Sequence, residues 1–253
     1  MSDRQPKLHE LLQEQLAELN LTQIAADYRE TLDEGARKNS SMLEVLSTLI
    51  SSEITARRQR ALQRRILLAK LPKMKTLAEY QFGFPKKIPK QKITRLFDCE
   101  FVEQHQSAVL IGPTGVGKTH LLTALGYIAC ERGLTVRFTQ VIDMINRLTA
   151  AQMNGTLQQT LKVYTKPSLL LLDELGYLPI DKRGADLLFQ IVTARYETGS
   201  IVITTNRPFR DWGRIFDLDN TLATAMIDRL MHHGEAIVIQ GTSFRMKDST
   251  PDE

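Results

Sequence analysis

The chain has 253 residues, 42% of them hydrophobic and 25% charged, with a formal net charge of +4. That balance suits one sizeable globular domain plus a smaller one. Two cysteines in unrelated contexts, Cys99 and Cys130, exclude a disulfide framework and a cysteine metal site, as in a reducing cytoplasm. The polar start Met1-Ser2-Asp3-Arg4-Gln5-Pro6-Lys7 lacks a signal peptide's apolar stretch, and no run is long enough to span a bilayer, so a cytoplasmic protein with no membrane partner is expected.

Leu8, Leu11, Leu12, Leu16 and Leu19 recur at helical spacing and predict a first helix. Thr22 stands where it can cap a second, which carries Ile24, Ala25, Tyr28 and Leu32. Ser40 or Ser41 can cap a third, with Met42, Leu43, Leu46, Leu49, Ile50 and Ile54 on its apolar side. No convincing strand precedes Ala108, so residues 1–70 are expected to form a small all-α N-terminal domain with little core of its own. A basic tract runs through its end: Arg57, Arg58, Arg60, Arg64, Arg65, Lys70, Lys73 and Lys75, then Lys86, Lys87, Lys90, Lys92 and Arg95. Glu79 is the one acid among them, and Tyr80, Phe82, Phe84 and Phe97 lie in or beside the tract. Pro72, Pro85 and Pro89 break any long helix, so 71–100 reads as a basic linker whose aromatics pack on a second domain.

From about residue 105, strand and helix signals alternate. Ser107-Ala108-Val109-Leu110-Ile111 reads as a buried parallel strand. It leads into Gly112-Pro113-Thr114-Gly115-Val116-Gly117-Lys118-Thr119, which fits G-x-x-x-x-G-K-[ST] at every constrained position, and His120 to Ala129 reads as the following helix. Glycines let such a loop curl so that backbone N–H groups face phosphates, and the helix N-terminus adds its positive dipole end. Lys118 is then placed for the β- and γ-phosphates of a nucleotide, and the Thr119 hydroxyl for Mg2+.

After Gly133 the pattern gives a strand over Leu134–Phe138 and helices over Val141–Ala151 and Leu157–Val163. A buried strand, Ser168–Leu172, ends in Asp173-Glu174. An apolar strand ending in two acids, downstream of such a loop, points to Asp173 holding Mg2+ with Thr119 and to Glu174 orienting the attacking water. A helix over Ala185–Tyr196 and a strand over Ile201–Thr205 come next. If that strand lies between the loop strand and the Asp173 strand, Asn206 reaches the γ-phosphate region; Asn206-Arg207-Pro208 is also ordinary turn chemistry. Trp212 reads as a core anchor. A helix over Asn220–His232 and a strand over Ala236–Ile239 complete the pattern of an α/β fold, a parallel sheet flanked by helices with its ligand at the carboxyl ends of the strands. Arg229 and Arg245 each fit either a surface pairing or a phosphate contact. The His232-His233 tandem has no metal-ligand partner nearby in sequence.

Val109 to Arg245 resembles the IstB-like AAA+ ATPases that assist insertion-sequence transposition, a family similar to the helicase loader DnaC and the initiator DnaA. The match is carried by Gly112–His120, Leu169–Leu178, Ile203–Arg207, Ala225–His232 and Gly241–Arg245, above all by Leu172-Asp173-Glu174-Leu175-Gly176-Tyr177 and Ile227-Asp228-Arg229-Leu230. The resemblance implies an AAA+ domain over 101–246, a flexible tail over 247–253, and an ATPase using ATP and Mg2+. It places His120 with the nucleotide-binding residues, makes Asn206 sensor 1 and Arg229 an arginine finger, and makes Arg245 the sensor-2 arginine or its equivalent. No helical lid pattern follows residue 245, as in the related loaders.

The implied assembly is a homo-oligomeric ring or spiral on double-stranded DNA, with the finger acting in trans and a cognate transposase as partner. No separate acidic triad for strand transfer is present. Arg57, Arg58, Arg60, Arg64 and Arg65 give the main candidate DNA surface, and Arg147, Lys162, Lys166, Lys182 and Arg183 a second. Two other functions compete. A replicative helicase loader of the DnaC type would use the helical domain for a helicase. A small-molecule P-loop kinase would need an acceptor pocket and an arginine-rich lid, which the sequence lacks.

Overall fold

The computed structural model describes residues 4–84 and 87–244; Lys86, Arg245 and the tail expected over 247–253 lie outside the described residues. The chain forms two compact units, Met1–Arg64 and Arg65–Glu253.

In the first unit, helices α1 (Arg4–Glu18), α2 (Thr22–Lys38) and α3 (Met42–Ala69) follow one another as the leucine spacing predicts. Ser41 and Glu44 form a capping box at the start of α3: the Ser41 N–H donates to Glu44 Oε2 at 2.7 Å, and the Glu44 N–H to Ser41 Oγ at 3.3 Å. The expected Thr22 cap is not made, and Leu21 occupies the cap position without a side-chain bond. The buried carboxylate of Glu53 replaces it, accepting the N–H groups of Gln23 at 2.7 Å and Ile24 at 3.2 Å. A carboxylate at this helix end also complements the dipole.

Leu16, Tyr28 and Leu49 form the small core. The predicted apolar side of α3 is otherwise wrong: Met42, Leu43, Leu46, Ile50 and Ile54 are exposed. The inward stripe of α3 runs through Val45, Leu49 and Glu53, so the helix turns its most apolar side outward.

The second unit holds a five-stranded parallel sheet ordered β2-β3-β4-β1-β5, built from β1 (Ala108–Ile111), β2 (Val136–Gln140), β3 (Leu169–Leu175), β4 (Ser200–Thr205) and β5 (Glu235–Val238). Its helices are α4 (Lys90–Phe97), α5 (Glu100–Glu103), α6 (Lys118–Glu131), α7 (Val141–Met153), α8 (Leu157–Thr165), α9 (Lys182–Arg195), α10 (Trp212–Ile215) and α11 (Asn220–Met231), with a 3-10 turn at Phe209–Asp211. Side-chain alternation assigns the two faces. Val109, Ile111, Leu170, Leu172, Ile201 and Ile203 share a core with residues of α7, α9, α10 and α11, including the fully buried Trp212. The alternate residue Leu171 faces α6, where it packs against Gly126.

Helix α4, inside the stretch expected to be linker, buries Ile93, Leu96 and Phe97 and packs on α6. At the end of α9, Arg195 is 1% exposed. It donates to the carbonyls of Tyr164, Thr165, Pro167, Ser168 and Ser200 at 2.7–3.1 Å. One guanidinium thus satisfies backbone oxygens from the end of α8, the turn before β3 and the first residue of β4.

Candidate nucleotide site

The loop after β1 leaves the sheet with the Gly112 N–H donating to the Thr205 carbonyl at 3.1 Å and closes on Gly117, which caps α6. Gly115 and Gly117 have φ of +85° and +89°, values that side-chain-bearing residues rarely adopt. Lys118 curls back so that Nζ donates to the carbonyls of Gly112 at 2.7 Å and Pro113 at 2.8 Å. The ammonium therefore lies over the loop's concave side, where phosphates sit in such loops.

Thr119 Oγ1 donates to both carboxylate oxygens of Asp173, at 3.1 and 2.9 Å. Asp173 is 2% exposed. The strand does not end at the acids as predicted; it continues to Leu175 with a register shift against β4 between Leu172 and Leu175. Within that irregularity Glu174 takes a φ of +63° and is exposed while its neighbours are buried. Such backbone strain in a non-glycine residue costs roughly 1–3 kcal/mol and concentrates at functional sites. It turns the Glu174 carboxylate out of the sheet beside the Asp173 pair. Thr204 completes the arrangement. Its hydroxyl donates to Asp173 Oδ1 and accepts the Glu174 N–H at 2.9 Å. The sequence reading missed Thr204, although a hydroxyl pair in an otherwise apolar buried strand, Ile203-Thr204-Thr205, was a usable signal.

Strand β4 lies between β1 and β3, the placement on which the Asn206 reading depended. Thr205 pairs with Ile111 on one side and Leu175 on the other, so the exposed Asn206 follows directly at the carboxyl edge between loop and acids. Arg229 is elsewhere. It stacks over Phe189 at 4.6 Å and lines a cleft with Ser107 and Ile201, at the amino ends of β1 and β4. Its own P-loop is at the opposite end of those strands.

Two segments brace the loop from outside. The Tyr80 hydroxyl donates to the Val116 carbonyl at 2.8 Å, and its ring leaves no room for a Cβ on Gly117. Burial pushes the Tyr80 phenol up to about 12. The His120 side chain does not point at the loop; its Nε2 donates to the Thr76 carbonyl at 2.7 Å. From the carboxyl side, the Phe244 N–H donates to the Gly115 carbonyl at 3.0 Å, and Phe244 packs edge-on against Phe84 at 4.7 Å.

The basic residues separate by role. Arg57 and Arg60 pair with Glu53 at 2.9 and 3.2 Å, so they neutralise the buried cap of α2. Arg65 donates to the Cys130 carbonyl at 2.9 Å. Arg58 and Arg64, and in the second unit Arg147, Lys162, Lys166, Lys182 and Arg183, are exposed. Arg147 lines an open cleft of about 440 Å³ with Lys70, Arg137 and Tyr164.

A family model described as IstB-like ATP binding protein matches residues 14–251. The ATP-binding protein of insertion sequence IS5376 from Geobacillus stearothermophilus is 34% identical over 97% of this chain and 98% of its own length. That of IS232 from Bacillus thuringiensis subsp. berliner is 37% identical over 91% and 92%. Among solved structures, the DnaC helicase loader superposes with a TM-score of 0.55 at 27% identity, covering 65% of this chain and 96% of that one. AMPPCP-bound DnaA from Aquifex aeolicus shares the fold, with a TM-score of 0.57 at 22% identity over 68% of this chain and 51% of that one. The parallel sheet with its flanking helices is the AAA+ P-loop fold.

Proposed function

This chain belongs to the IstB-like ATP binding protein family, and from that premise we propose that it is a Mg2+-dependent ATPase that multimerises on duplex DNA and assists a cognate transposase in target selection and integration. The observation that carries the hydrolytic part is the Thr119–Asp173 pair beside the P-loop, with Glu174 turned outward next to it. Gly112, Pro113, Thr114, Gly115, Val116 and Gly117 wrap the phosphates, and the N–H groups of Lys118, Thr119 and His120 present the helix end to them. Lys118 exchanges its carbonyl partners for the β- and γ-phosphates. Thr119 and Asp173 would hold Mg2+, which would supply charge neutralisation to the nucleotide phosphates. Glu174 and Asn206 orient the attacking water. Arg245 is assigned to the nucleotide by the family resemblance alone.

The position of Arg229 supports a multimer. A finger at the amino ends of the strands serves a neighbour's nucleotide, not its own, and such a residue accelerates phosphoryl transfer ~10³–10⁵-fold. DNA contact is assigned to the exposed Arg58, Arg64, Arg147, Lys162, Lys166, Lys182 and Arg183 through phosphate neutralisation. Arg57, Arg60 and Arg65, which also hold internal partners, complete that set. The transposase assignment rests on the insertion-sequence relatives, which align along nearly the whole chain.

The likeness to the DnaC helicase loader favours a second reading, delivery of a replicative helicase to single strands. ATP hydrolysis measured at low salt with duplex or single-stranded DNA separates the two. Stimulation by duplex, and retention of ATP-bound Glu174→Gln oligomers on duplex, are expected. Stimulation by single strands alone overturns the transposition reading in favour of the loader.

A further inference from the structure

Outside the nucleotide site, the fold assembles a cluster that the sequence reading missed. His232 and His233 follow the last turn of α11, and Glu197 comes from the turn between α9 and β4. One ligand atom from each of the three lies within 4.8 Å of the others, and all three residues are exposed. Glu197, two residues beyond the end of α9, takes a φ of +58°.

The geometry accommodates a metal ion as well as an ion pair. His233 Nε2 and Glu197 Oε1 are 3.6 Å apart, too far for a good hydrogen bond. Ligands about 2.0–2.1 Å from a tetrahedral ion are separated by roughly 3.3 Å, so a small closure of this gap seats an ion between them. His232 is oriented by a partner: its Nδ1 is 2.8 Å from the Tyr196 hydroxyl. Metal-ligating histidines characteristically have the second ring nitrogen held this way. The His232 and His233 rings are 4.2 Å apart between centroids, so the tandem presents two imidazoles to one side.

We propose that Glu197, His232 and His233 form a surface site for a borderline divalent transition metal, Zn2+ in the first place, with Tyr196 as the residue that positions His232. Two imidazole nitrogens and one carboxylate leave a fourth position for water, and this donor set selects Zn2+ over the hard, oxygen-seeking Mg2+. The site is separate from the Thr119–Asp173 pair. It stands at the amino ends of the strands, where His233 and Glu197 line the same cleft as Arg229.

The test is isothermal titration of the full chain with Zn2+ alone, in a buffer that does not bind metal and with Mg2+ present in excess. One equivalent is expected to bind. His232→Ala, His233→Ala and Glu197→Gln are each expected to weaken binding at least tenfold, and Tyr196→Phe about tenfold. The ligands are exposed, and unchanged circular dichroism and ATP binding in each variant verify that the fold is intact. The absence of a Zn2+ isotherm overturns the proposal. So does a stoichiometric isotherm that persists in the His232→Ala/His233→Ala double variant, because the ion then lies elsewhere.

Discussion

Thr204 bridges the two acids of the nucleotide site: its hydroxyl donates to the Asp173 carboxylate and accepts the Glu174 backbone N–H at 2.9 Å. One side chain thus orients the residue assigned to Mg2+ and fixes the strained backbone of the residue assigned to the water. Thr204→Val keeps shape and burial but removes both bonds. It is expected to lower ATP turnover about 10–100-fold, the usual effect of losing a partner that orients a metal ligand. Thr204→Ser should retain most activity. Phosphate release and nucleotide binding measured side by side check this, and full turnover in Thr204→Val would contradict it.

Arg229 and the P-loop occupy opposite ends of the same strands, so a finger role requires two subunits. Arg229→Ala is expected to reduce hydrolysis by ~10³-fold or more while ATP binding stays within a few-fold. Mixing Arg229→Ala with Glu174→Gln, each inactive alone, should regenerate interfaces that combine an intact Glu174 with an intact Arg229. A rise in ATPase activity on mixing is the expected result. No rise at any ratio would remove Arg229 from catalysis.

Arg195 matters for stability. Arg195→Met leaves five carbonyls without their guanidinium donor, those of Tyr164 and Ser200 buried and the others partly so. The expected loss is about 3 kcal/mol or more, read from urea unfolding. Arg195→Lys should recover only part of it, since a single ammonium cannot reproduce the planar fork.

Cys99 and Cys130 are buried, and burial pushes both thiols up to about 11. Neither should react with a disulfide reagent at pH 8 in the native protein, and both should react once it is unfolded. The sign for stability follows. The folded state keeps these protons where the unfolded chain, with thiols near 8.5, releases them. Their contribution is therefore complete below about pH 8.5 and declines as pH climbs toward 11. Denaturant midpoints from pH 7 to 10, compared with a Cys99→Ser/Cys130→Ser chain, would show a steeper decline in the parent.

What is encoded locally could be read from the chain. The loop from Gly112 to Thr119 needs only its own glycines, lysine and threonine, and the strands announce themselves as apolar runs because both faces of a parallel sheet are covered. Five strands and most of the helices were legible for that reason, whereas the place of β4, on which Asn206 depends, came only with the sheet order. The tertiary structure alone decided which polar groups meet across distance. Glu53 took the cap that Thr22 was expected to supply, and with it occupied Arg57 and Arg60. Thr204 reached the acids, Arg195 gathered carbonyls from two other segments, and Glu197 joined the histidine tandem. Burial explains the difference. An apolar side chain is satisfied by any apolar neighbour, so its pattern in the chain is enough to place it. A buried donor or acceptor needs one particular partner at hydrogen-bonding distance, and only the folded chain specifies which residue that is.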